Sequence, residues 1–208
     1  MKKNTKSLIF TINMNEHILV TLPMVLNKML EAPQPEQTFV KILINNTYIS
    51  LTCECIEDIL NRLKKQLESA LINRAHIHES IQENIGYLLN REFHGDKSGL
   101  VFFNRGEQLF WVGLHNLVWS PISGMHPDLV TWIYNDNKNN IILELTPIWP
   151  WHFDNPEEGE TFITYEKFMK NYQSYLTRII SKDVAEQWVQ QCKEALNIID
   201  PENYDLKP

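Results

Sequence analysis

The chain has 208 residues, 43% hydrophobic and 22% charged, with a formal charge of -7. This is ordinary globular composition with room for a sizeable core, and seven glycines and ten prolines are too few for a low-complexity protein. The negative balance disfavours direct contact with nucleic-acid phosphates and favours a basic protein partner, although it also serves solubility alone.

The opening residues, MKKNTKSLIFTINMNE, carry lysines but only a short apolar piece, so neither export nor membrane spanning is expected. Residues 7–13 (SLIFTIN) and 17–22 (HILVTL) read as strands around a polar turn, and the run stops at Pro23. Met24 to Leu30 is long enough for a helical turn or two, and EAPQPEQ after it is a loop because its prolines break either regular pattern. TFVKILINNTYISLTCE is the clearest hairpin, with Asn45-Asn46 tolerating the left-handed backbone that such a turn needs. Asn45-Asn46-Thr47 also matches the glycosylation pattern, but it reads as the turn. Cys53, Cys55 and Cys192 form no Cys-x-x-Cys pair, and Cys53 and Cys55 on one strand face are poorly placed to bridge. Reduced thiols in a cytoplasmic protein fit this usage.

From Ile56 the period changes. Ile56, Ile59, Leu60, Leu63, Leu67, Ala70 and Leu71 fall at helical spacing, with acids early and bases later as the helix dipole favours. Ile77, Ile81, Ile85, Leu88 and Leu89 continue the pattern after a break near 74–78. Near Gly95 the chain returns to strands. GLVFF and QLFWVG flank Asn104-Arg105-Gly106-Glu107, and LVTWIYN and NIILEL flank DNKN. In the last of these, Ile141, Leu143 and Leu145 alternate with Ile142, Glu144 and Thr146, which predicts one face less buried than the other. Thr164 then caps a helix with Phe168, Tyr172, Leu176 and Ile179 on its inward stripe. Ser181 caps a final helix with Val184, Trp188, Cys192, Ala195 and Leu196 on one side.

The order is roughly four strands, two helices, four strands, two helices. Hairpins followed by helices give an α+β class: antiparallel sheet of about eight strands packed against about four helices, not βαβ winding. One globular domain over residues 1–200 is expected, with a loose tail at 201–208. The order also divides into halves 1–92 and 93–200, either a duplicated unit or a coincidence, since no segment repeats in sequence.

Local signatures of chemistry are missing: no Walker A lysine motif, no Gly-x-Gly-x-x-Gly, no His-Glu-x-x-His and no Gly-x-Ser-x-Gly. In an extended segment His76 and His78 could share a face and take a metal with Glu79 or His94, but no spacing supplies the remaining ligands. Neither metal nor cofactor is expected. The alternative to a binding protein is a hydrolase-like enzyme with a scattered site. In it His115, His126 or His152 would act as a base beside Asp154 or Glu144, with Ser120, Ser123 or Cys192 as nucleophile. No spacing ties these residues together.

Trp111, Trp119, Trp132, Trp149 and Trp151 crowd the same region. Trp111 and Trp132 read as core. Trp149 and Trp151 stand in PIWPW, where Pro147 and Pro150 prevent normal ladder pairing and favour extended, edge-like backbone with both rings on one side. Either the rings close one end of the core beside a solvated acidic loop, or they anchor a partner that the acids steer.

The run TWIYNDNKNNIILELTPIWPWHF, followed by a Tyr-rich helix and a Trp-bearing helix, resembles small acidic bacterial toxin-immunity proteins in general character over roughly residues 110–190. These include the immunity partners of contact-dependent growth inhibition systems. The resemblance implies a cytoplasmic protein that neutralises a cognate toxin by tight binding, often over its active site, and implies no catalytic residue. The expected partner-binding residues are Trp119, Trp149, Trp151 and His152 as anchors and neighbours, with Asp154, Glu157, Glu158 and Glu160 for attraction. The expected partner is a basic protein such as a toxin domain, with no nucleic acid and no membrane.

Overall fold

The structure is a computed structural model that describes residues 7–21, 38–77, 84–95, 116–120, 129–152, 156, 158, 159 and 161–199. Strands β1 (Ser7–Asn13), β2 (Glu16–Thr21), β3 (Thr38–Ile44) and β4 (Thr47–Glu54) pair in sequence order as one antiparallel sheet. Their period-2 pattern sends Phe10, Ile18, Val20, Val40, Ile42, Ile49 and Leu51 to one buried face. The β3–β4 turn needs left-handed backbone at both central positions. Asn45 and Asn46 supply it, with φ of 50° and 61°.

Helix α1 (Ile56–Leu71) follows β4 directly. It buries Ile56, Ile59, Leu60, Leu63, Gln66, Leu67 and Ala70, and Glu57 and Asp58 sit in its first turn. It stops where Asn73 turns left-handed (φ 55°), with Asn73 N–H on the Ala70 carbonyl and Arg74 N–H on that of Ser69. Helix α2 (Ile85–Gly95) precedes the second sheet, whose strands β5 (Leu117–Trp119), β6 (Leu129–Asn135), β7 (Ile141–Pro147) and β8 (Leu176–Ile180) also pair antiparallel in sequence order. The short helix α3 (Tyr165–Lys170) lies between β7 and β8, and α4 (Lys182–Ile199) closes the described chain. Thr164 and Ser181 accept from the Lys167 and Val184 amides, as their sequence positions predict.

The α+β class with antiparallel sheets stands, but two strands are not those expected. Residues 176–180 pair with β7 instead of extending α3, which ends at Lys170 and buries no side chain. The Leu176 and Ile179 spacing fits a helix, yet LTRII is rich in β-branched residues and gains a full ladder beside β7. Strand β5 falls at LVW, where no strand was expected. The expected strands GLVFF and QLFWVG, the pieces at Met24 to Leu30 and EAPQPEQ, and the tail 201–208 lie outside the described residues.

One apolar cluster spans both sheets: Phe10, Val40 and Leu51 of the first share it with Ile133, Leu143 and Leu145 of the second. Each long helix follows one sheet in sequence but hydrogen-bonds to the other. From α1, the Gln66 amide donates to Asn116 Oδ1 (3.2 Å) and the Ile133 carbonyl (2.8 Å), while Asn135 of β6 donates to the Ala70 carbonyl (2.9 Å). From α4, the Trp188 indole donates to the Thr11 carbonyl (3.2 Å) and Gln191 to that of Ile9 (3.3 Å). The buried Gln66 and Asn135 amides, satisfied across the halves, make those halves interdependent. Among the described residues no helix is long and apolar enough to cross a membrane.

A two-pronged ion pair fastens the same joint. Arg178 of β8 donates through Nε (2.8 Å) and Nη2 (2.6 Å) to the two carboxylate oxygens of the buried Glu16 on β2. These bonds hold the Glu16 carboxyl below its ordinary range, against the opposing effect of burial. A lowered folded-state pKa contributes stability above the unfolded value, near pH 4.5, and loses it as pH falls through the folded one. Glu16→Gln should therefore be less stable than wild type at pH 7, on the order of 1 kcal/mol after discounting for the half-exposed arginine. Urea midpoints at pH 7 and pH 3 check this: the gap should narrow at the lower pH, and a constant gap would count against the pair.

Candidate functional site

The sequence alternation in β7 predicts a less buried face. Instead every residue from Ile141 to Thr146 is buried, because α2 covers the second face of the sheet. Ile85 and Leu89 of α2 pack there on Val130 and Trp132. The helix comes close because Gly86 has no side chain; a Cβ at this position would lie 2.1 Å from the Tyr172 hydroxyl and 2.4 Å from Thr146. Asn84 caps α2, its Oδ1 accepting from the Gly86 (2.9 Å) and Tyr87 (3.1 Å) amides.

Glu144, paired with Trp132 across the β6–β7 ladder, is 3% exposed beneath this helix. Tyr134 donates its hydroxyl to Oε2 (2.7 Å), Asn84 donates to Oε1 (2.9 Å), and the Ser174 hydroxyl also donates to Oε1. Beside it the Trp132 indole donates to the Thr146 hydroxyl (2.7 Å). Burial pushes the Tyr134 phenol well above its ordinary pKa, and the Glu144 charge adds to this. Burial does the same to Tyr172. Both phenols stay neutral at physiological pH, and Tyr134 serves as a hydrogen-bonding wall of the Glu144 site.

Buried Asn90 of α2 holds the PIWPW segment. Its amide donates to the carbonyls of Gly86 (2.7 Å) and Pro147 (2.9 Å), and its oxygen accepts from the Trp149 backbone (2.8 Å). The Trp149 indole donates to the Ile163 carbonyl (2.8 Å), which ties the segment to the approach to α3. Around that ring stand Trp151 (centroids 6.1 Å), Phe162 (6.5 Å) and Tyr165 (5.7 Å), all edge-to-face, and Trp151 lies 5.1 Å from Phe162. Phe162 is 52% and Ile163 36% exposed, and Trp151 is half-buried. Next to this patch, and sharing Pro147 and Ile163 with it, opens a cleft of about 470 Å3 that Phe168, Tyr172, Ser174 and Tyr175 also line.

The anchors expected from sequence divide. Trp119 is fully buried with its indole on the Ile59 carbonyl (3.2 Å), and Trp149 is 8% exposed at the centre of the aromatic cluster. Both rings are buried, against the exposure expected of anchors. The Trp149 and Trp151 rings meet edge-to-face, but the backbone is not extended throughout: Pro150–His152 makes a 3-10 turn with Trp151 at φ -97°, ψ 34°. Proline at the first turn position suits that geometry as well as it suits an edge strand. Glu158 is exposed beside Gly159, whose φ of 94° needs glycine. The His152 side chain and Asp154, Glu157 and Glu160 lie outside the described residues, as do Trp111, His78, Glu79, the His94 side chain, His115, Ser123 and His126.

Of the proposed nucleophiles, Cys192 is buried, and burial pushes its thiol up to about 12, which disfavours the thiolate. His76 is exposed, and among the described residues no group of three His, Cys, Asp or Glu could hold a metal ion. The residues that organise the site and escaped notice are Asn84, Asn90, Ser174 and Phe162. Only Asn84 carried a readable signal, an asparagine one residue ahead of the Ile85, Leu88, Leu89 stripe. No family model matches the chain, and no curated protein or solved structure matches it either.

Proposed function

We propose that the protein is a non-enzymatic, cytoplasmic binding protein that grips another protein, acting as an immunity protein that neutralises a basic bacterial toxin domain by direct contact. The observation that carries this reading is the pre-organised aromatic patch of Trp151, Phe162 and Ile163, backed by buried Trp149 and opening onto a cleft. Large rigid rings lose little entropy on binding, and a patch already ordered by Asn90 and two prolines loses less still. Glu158 is exposed in the same segment, and in sequence Asp154, Glu157 and Glu160 flank it, so a cationic partner would be steered there.

The test is affinity capture with the full chain, identification of the partner, and titration of that purified partner against Trp151→Ala/Phe162→Ala. The double variant should fold, because both rings are at least partly solvated. It should bind at least about thirtyfold more weakly, the loss typical of an aromatic hot spot. Equal affinity would remove the patch from the interface, and a chain that retains no basic protein would overturn the reading.

A further inference from the structure

Behind the lining of the cleft lies a charge with no countercharge among the described residues. Glu144 is 3% exposed, three neutral donors converge on it, and no cation pairs with it among the described residues. A buried carboxylate of this kind is costly unless something offsets it. One of its donors, Ser174, lines the cleft, so the carboxylate lies directly behind a residue of the cleft wall. The walls are mostly apolar and aromatic: Pro147, Ile163, Phe168, Tyr172 and Tyr175, with Phe168 and Tyr172 edge-to-face at 5.7 Å and 78°. The cleft also touches Lys167, which is solvent-exposed, so its long stem lets the ammonium turn into water away from the slot. An apolar slot with ring faces and a negative charge at its back fits one side-chain chemistry, an aliphatic stem that ends in a cation.

Resting on the protein-binding reading above, we propose that this cleft receives a lysine or arginine side chain of the partner, its cation held by the aromatic walls and by the field of Glu144. The anchor of the interface is then this basic residue in the cleft, and the patch of Trp151 and Phe162 covers its surroundings.

The probes are Nα-acetyl-lysine methylamide, its arginine counterpart, and Nα-acetyl-norleucine methylamide, which has the lysine stem without the charge. Each is titrated into the full chain and followed by the aromatic NMR resonances. The cationic probes should bind about tenfold more tightly than the neutral one, as a partly desolvated cation–π contact allows. In Glu144→Gln, which keeps the size of the side chain, that preference should fall to about twofold. Tyr175→Leu, at an exposed ring, should weaken the cationic probes in a chain whose interior is untouched and so keeps the test decisive if Glu144→Gln does not fold. Equal binding of norleucine and lysine probes, an unchanged preference in Glu144→Gln or in Tyr175→Leu, or no response to any probe would overturn the proposal. None of these outcomes touches the protein-binding reading, which stands or falls on capture of a basic partner.

Discussion

Trp119→Ala should cost the fold about 3–5 kcal/mol, the range for removing a large aromatic from a packed core. The ring is fully buried and belongs to the cluster that joins both sheets. Its N–H is bonded to the Ile59 carbonyl of α1, so it fastens the first half's helix to the edge strand of the second half's sheet. Strand β5 is only three residues long and its register to β6 is interrupted, so few ladder bonds would replace the lost ring. For a chain of this size that loss lowers the melting temperature by roughly 10 °C. Trp119→Phe should cost less, because it keeps most of the filled volume. Urea and thermal unfolding followed by circular dichroism measure both variants. A Trp119→Ala chain of wild-type stability that has lost its partner would restore the indole to the interface and contradict its place in the core.

Gly86→Ala has the opposite sign from most such changes. In a helix interior, alanine for glycine ordinarily stabilises by up to about 1 kcal/mol. Here the new methyl group would lie 2.1 Å from the Tyr172 hydroxyl and 2.4 Å from Thr146 Cβ and Oγ1, and the second of these belongs to a central strand that cannot yield. Helix α2 must then lift, uncovering Val130 and Trp132 and straining the Asn90 bonds to Pro147 and Trp149. Overpacking of this severity costs about 3 kcal/mol or more. Tyr172→Phe in the same chain should recover part of it by removing the closest atom. Denaturant midpoints of the two single variants and the double variant give the coupling directly. Additive losses would mean that Gly86 and Tyr172 do not meet.

How much was legible depended on whether a residue's role was local. The two hairpins at Asn45-Asn46 and Asp136 to Asn140, helix α1, and the caps at Thr164 and Ser181 were readable because backbone preference and apolar period are properties of a few consecutive residues. Residues 176–180 were misread for the same reason. Leucine and isoleucine at that spacing satisfy a helix as well as a strand, and the ladder with β7 that decided between them comes from a segment some thirty residues away.

The candidate site shows the same division more sharply. PIWPW reads in sequence as a proline-stiffened aromatic segment, but its sequence does not say which ring faces inward. Asn90 decides that by holding the Trp149 backbone from a helix 59 residues earlier in the chain, and Phe162 supplies the ring that Trp151 leans on. Glu144 likewise looks like a solvent-facing strand acid until α2 covers it.

By itself, then, the sequence determined the class, most of the elements and their caps, and the negative charge balance, because these depend on composition and near-neighbour geometry. The tertiary structure alone decided which tryptophans are core, that each long helix serves the other half's sheet, and that a buried carboxylate held by three neutral donors stands behind an aromatic cleft. The physical reason is that burial and charge compensation arise between segments far apart in the chain, and no local pattern encodes which of them will meet.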